Sequence, residues 1–219
     1  MRRAPDWKEL ASAAEERYRD CEARLPDEAD ARQRQLTRMG NAAYAAGLAR
    51  LMAGDDPSEW LDRAAARYRE SYDLAPPGSW GRPIGTIKAR ILAGDWAGAE
   101  EAARWALAEG AAESDSPIGR YAGALAALTL RDDDGARVLA DSIRTRDDFP
   151  QDVGDALAMI AAGDVVGYDE QVGAVLESFA TRDEYLEDIP VADTVLVLQA
   201  LAERRDVAAD LSSPLLPRN

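Results

Sequence analysis

Apolar positions along this chain recur at helical spacing. Leu36, Met39, Ala43, Leu48 and Leu51 fall near one face of a helix, as do Trp60, Leu61, Ala64, Tyr68 and Tyr72. Val191, Val195, Leu198 and Ala202 do the same near the C-terminus. No run sustains the alternation of β-branched and polar residues that a strand requires. The alanine-rich apolar runs are cut by one recurring phrase, Ala53-Gly54-Asp55, Ala93-Gly94-Asp95 and Ala162-Gly163-Asp164, with fainter echoes at Arg131-Asp132-Asp133 and Arg204-Arg205-Asp206. Glycine supplies a left-handed helix stop and aspartate caps the helix that follows. The punctuation therefore predicts successive helical hairpins.

Reading caps and breakers in order gives a first helix from about Asp6 to Arg24, with Asp6 and Glu9 spaced as a capping box, and a second over residues 28–53. A third opens at Pro57 and ends before Pro76-Pro77-Gly78. Further helices are predicted over 83–93, 96–109 and 117–130, from Asp134-Gly135 to about Asp147, over 152–162 and 165–180, and one introduced by Pro190. The tail from Val207 to Pro217 is too apolar to hang free and is expected to pack along the last hairpin. The expectation is all-α: antiparallel helical hairpins, about ten helices, in one domain over residues 1–219.

Composition removes several chemistries. Histidine is absent, which excludes Ser-His-Asp triads and histidine-ligated metals. The single cysteine, Cys21, permits no internal disulfide and fits a small residue on an alanine-rich helix. With 41 acidic and 26 basic residues the chain carries a net charge of −15. A field of that sign repels phosphate backbones, so neither nucleic acid nor an anionic membrane is an expected partner. The acidity fits either a high-salt host or a basic partner. No apolar run is long enough to span a bilayer, and no hydrophobic leader core follows Arg2-Arg3, so a cytoplasmic location is expected.

The stretch Gly94-Asp95-Trp96-Ala97-Gly98-Ala99-Glu100-Glu101-Ala102-Ala103-Arg104-Trp105-Ala106-Leu107 resembles the second half of a tetratricopeptide repeat. Small residues stand three, seven and ten positions past the turn aromatic Trp96, at Ala99, Ala103 and Ala106, where they let the partner helix approach closely. Gly47 is similar to the small residue that the family uses inside its first helix. The resemblance is good over one repeat and partial over 41–76 and 152–176. The 54–76 interval is several residues too long, and Tyr168 stands where alanine is expected. It implies a degenerate tetratricopeptide-like α-solenoid whose concave groove binds a protein or peptide. Asn41, Tyr44 and Lys88 are then groove residues. Lys88, one of only two lysines, either meets an acidic peptide end or joins a local ion pair. A weaker resemblance links 198–217, with Arg204-Arg205 and Ser213-Pro214-Leu215-Leu216-Pro217, to helical immunity proteins that neutralise bacterial toxins; Asp206 replaces the glycine expected there.

Trp80, between Pro76-Pro77-Gly78-Ser79 and Gly81-Arg82-Pro83, either anchors a partner or plugs a gap between hairpins. Asp148, Asp152 and Asp155 would share one face if they shared a helix, and such a face can hold Mg²⁺ for a metal-assisted enzyme; helix-start capping explains the same run. Asp132-Asp133-Asp134-Gly135 lacks the ligand series of a calcium loop and reads as a cap. Glu184, Glu187 and Asp188 read as a solvated connector. The resulting expectation is a non-enzymatic partner-binding protein without cofactor or metal, with a toxin inhibitor and a carboxylate-dependent enzyme as alternatives.

Overall fold

A computed structural model describes residues 5–218. The Met1–Ala4 part of the N-terminal reading lies outside them. Ten α-helices stand among the described residues, and no strand: α1 (Trp7–Ala23), α2 (Ala29–Ala53), α3 (Ser58–Tyr72), α4 (Gly81–Leu92), α5 (Trp96–Ala108), α6 (Pro117–Thr129), α7 (Asp133–Ile143), α8 (Gln151–Ala162), α9 (Val165–Ala180) and α10 (Asp193–Glu203). Each helix packs on its successor.

The corners form as their residues dictate. Gly54, Gly94 and Gly163 take positive φ of 75°, 72° and 68°, where a side chain would be strained. Asp95 and Asp164 then accept from the backbone N–H of Gly98 and Gly167, both at 2.9 Å. Asp132 does the same for Gly135 at 3.0 Å. Its helix therefore starts at Asp133, ahead of the predicted Asp134-Gly135, and ends at Ile143. The echoes keep the geometry without glycine: Arg131 and Asp206 sit at φ 63° and 58°. Replacing exposed Arg131 by glycine is expected to raise stability by about 1 kcal/mol, the strain of a left-handed side-chain-bearing residue. A urea midpoint that does not rise would show that no such strain is present.

Elsewhere the observed bounds differ little. Asp6 caps α1, accepting from Lys8 N–H at 3.2 Å and Glu9 N–H at 3.1 Å. Pro57 stands just ahead of α3 rather than at its first position, and α4 begins two residues early, at Gly81. The largest difference follows Pro190. That residue does not open a helix; Ile189–Ala192 form an irregular connector, with Val191 N–H donating to Ile189 O at 2.8 Å, and α10 starts only at Asp193.

Burial explains this last departure. Alanine-rich α2 is buried nearly all round from Met39 to Ala49, because short side chains let neighbours close in from several sides. One such neighbour is the segment after α9: Ile189 and Val191 are buried in the apolar cluster of α1, α2 and α3. Its 3₁₀ turn, Leu186–Asp188, lies against α2, and Glu187 pairs with Arg17 of α1 at 3.1 Å. Glu187 is thus an anchor and not a freely solvated connector. Helix α10 then packs on α4, α8 and α9. Its terminal arginines cap α6: Arg204 donates to Thr129 O at 3.2 Å and Arg205 to Leu128 O at 2.8 Å, where helix-end carbonyls favour cations. The tail follows as expected, with Val207, Leu215 and Leu216 buried. The residues that resemble an immunity-protein terminus therefore do internal packing work. So does Gly47: a Cβ there would lie 2.6 Å from Leu61, so its smallness sets the α2–α3 approach.

Candidate functional site

The site is built on neighbouring turns of α2 and α4. Asn41 and Tyr44 are three apart on α2 and project together. On α4, Arg82, Gly85 and Lys88 share a face by the same spacing. Between the two helices lies the Tyr68 ring of α3. A Cβ on Gly40 or on Gly85 would each come within 2.7 Å of that ring, so two glycines clamp it from opposite helices. Tyr68 then donates to Asn41 Oδ1 at 2.9 Å.

At the inner end stands a buried ion pair. Lys88 Nζ contacts Asp193 Oδ2, and it donates to Thr194 Oγ1 at 3.1 Å. Tyr44 donates to the same carboxylate at 3.1 Å. Burial opposes the charge on Lys88, but Asp193 outweighs it and holds the ammonium pKa above its usual range. Burial, reinforced by Asp193, drives the Tyr44 hydroxyl well up, and burial raises Tyr121 as well. Lys88 is therefore in the local ion pair of the two alternatives, with a partner more than a hundred residues away in sequence.

At the outer end stands Arg82. Its Nε donates to Ser71 Oγ at 2.8 Å and its Nη2 to Gln33 Oε1 at 2.5 Å. Both acceptors are neutral and buried. Burial lowers the Arg82 pKa, and among the described residues no carboxylate offsets it. Most other arginines here meet an acid, for example Arg50 with Glu15, Arg67 with Glu22 and Glu70, and Arg90 with Asp62 and Asp95. Between Arg82 and the Lys88–Asp193 pair a cavity of about 260 Å³ opens, lined also by Thr37, Asn41, Tyr44 and Tyr68 and edged by Leu186.

Three of the four sequence-predicted residues thus meet at one cavity. Trp80 does not: it is buried against Gly119, where a Cβ would lie 2.7 Å from its indole nitrogen, so it fills the gap between hairpins. The face holding Asn41, Tyr44 and Lys88 is not an open concave groove, because the 186–192 segment and α10 lie on it. Arg82, Tyr68 and Asp193 join the site without being singled out by the sequence. Arg82 had a signal, its place in the Gly81-Arg82-Pro83 connector; Asp193 had none, since an acid in a first helical turn is ordinary.

The carboxylate cluster separates. Helix α8 starts at Gln151, so Asp148 lies outside it and pairs with Arg146 at 2.7 Å, while Asp155 lies 3.5 Å from Arg144. Among the described residues no three His, Cys, Asp or Glu side chains are grouped to hold a metal ion. None of the helices is long and apolar enough to cross a membrane. Comparison with protein-family models, curated proteins and solved structures finds no match.

Proposed function

We propose that this chain is a non-enzymatic, tetratricopeptide-like binding scaffold, and that an acidic group of a protein or peptide partner enters the cavity beside Arg82. One observation carries the reading: a half-buried guanidinium whose acceptors among the described residues are neutral, facing a cavity, in a chain of net charge −15. An entering anion would gain a charge-assisted hydrogen bond of roughly twice the neutral strength. Asn41 and Thr37 offer further polar contacts on the same wall. The cavity is below the ~300 Å³ lower bound of ordinary ligand pockets, which suits one side chain or one chain end rather than a whole peptide. Repulsion from the acidic surface is screened beyond about 8 Å at physiological salt, so it does not bar contact.

A photo-crosslinking residue placed at Leu186, on the cavity edge, is expected to give a discrete adduct in cells. Arg82→Gln should remove that adduct while leaving the far-ultraviolet circular dichroism unchanged. An adduct indifferent to Arg82, or no adduct, would reject the reading.

A further inference from the structure

A second surface lies on the opposite side of α4. Helices α3 and α5 both pack on α4 and run in the same direction, leaving between them a trough of about 900 Å³. Its two ends are closed. At the N-terminal ends Arg90 bridges Asp62 at 2.6 Å and Asp95 at 3.1 Å. At the C-terminal ends Tyr72 stands edge-on to Trp105 at 5.0 Å between centroids, and Arg69 lies over the same indole at 3.9 Å. Asp62 and Tyr72 are ten positions apart on α3, so the trough is about 15 Å long. Its lining is small: Ala65, Ala66, Ala97, Gly98 and Ala102, with Thr86 from α4.

We propose that this trough docks a basic amphipathic helix of about three turns from a partner protein. Two parallel helices with an alanine-glycine lining let a third settle between them at the short interaxial distance that small residues permit. An extended peptide is disfavoured, since helix walls offer no free backbone groups to pair with it. The charge fixes the sign of the partner. Both guanidiniums of the trough are already held, Arg90 by Asp62 and Asp95 and Arg69 by Trp105 and, at 4.0 Å, Asp73. On the α5 rim Arg104 is taken by Glu100, and no arginine among the described residues pairs with exposed Glu101. Glu70 is itself held by Arg32 at 3.1 Å and by Arg67 at 2.7 Å, so the open carboxylates are Asp73 on the α3 wall, reached by Arg69 only at 4.0 Å, and Glu101 on the α5 wall. Lysines or arginines flanking an apolar stripe would meet them. A second copy of this chain is a poor occupant, because it brings another −15 charges to the contact.

The test is selection, on the intact protein, of a displayed library of 12-residue helical peptides whose polar positions are free to be acidic, neutral or basic. Enriched peptides should carry an apolar stripe flanked by lysine or arginine. Their affinity should fall at least tenfold on Ala66→Trp, which fills the trough from an exposed position, and on Glu101→Lys, yet persist in Arg82→Gln. Ala97→Trp, also at an exposed position, serves should Ala66→Trp perturb folding. Three results overturn the proposal: no enrichment, winners without net positive charge or indifferent to the filled trough, or a dimer in sedimentation that Ala66→Trp dissolves.

Discussion

Replacing Lys88 with alanine is expected to destabilise the protein by about 3–5 kcal/mol, because it strands the Asp193 carboxylate in a buried site with Tyr44 as its remaining donor. Asp193→Ala should act similarly by stranding the ammonium. The double replacement Lys88→Met with Asp193→Leu should recover most of the loss, since removing both charges removes the desolvation they require. Urea midpoints of the four proteins close a double-mutant cycle. Singles that lose under 1 kcal/mol would mean that water reaches the pair freely. The same cluster sets a pH limit. The Lys88 pKa lies above its unfolded value, so the stability it adds is full below the ordinary lysine range and fades as pH rises through the folded value. Tyr44 and Tyr121 act in the same direction: their unfolded forms ionise near pH ~10, and the folded forms resist. Stability should therefore fall at alkaline pH, and fall less steeply in the double variant.

Removing residues 207–219 is expected to have a comparable or larger effect. Val207, Leu215 and Leu216 are each buried, and side chains of that size contribute about 1.5–3 kcal/mol apiece as an upper estimate. The truncation also removes the carbonyl of Leu215, which accepts from Ala192 N–H at 3.0 Å, and that of Ala209, which accepts from Gln199 at 2.6 Å. Both partners flank or lie in α10, so the loss should concentrate there. Hydrogen exchange should show α10 amides losing protection while α1–α3 retain theirs. Uniform loss of protection, or none, would show that the tail does not hold α10 in place. Because α10 supplies Asp193 and Thr194, the truncated protein should also lose part of its alkaline sensitivity.

Much of the architecture was legible in the chain. The corner glycines need no tertiary context: their left-handed φ and the Asp-x-x-Gly caps are local, and helices α5 and α9 begin where those residues place them. Asn41, Tyr44 and Lys88 were legible as neighbours because helical spacing within α2 and α4, and the hairpin between them, fix which faces meet. Trp80 was not, since a connector aromatic looks the same whether it faces a partner or Gly119.

What the amino-acid order determined by itself is the set of hairpins through α9: caps, stops and helical periodicity act over three or four residues, and up to that point no distant contact overrides them. What only the tertiary structure decided is how the ends of the chain close on each other. The turn at Leu186–Asp188, the irregular connector to Ala192 and the seat of α10 have weak local preferences, so burial of Ile189 and Val191 among α1, α2 and α3 settles them. The Lys88–Asp193 pair follows from that closure. A charge gains or loses several kcal/mol according to where its opposite lies in space, and that distance is invisible to any pattern of neighbours in sequence.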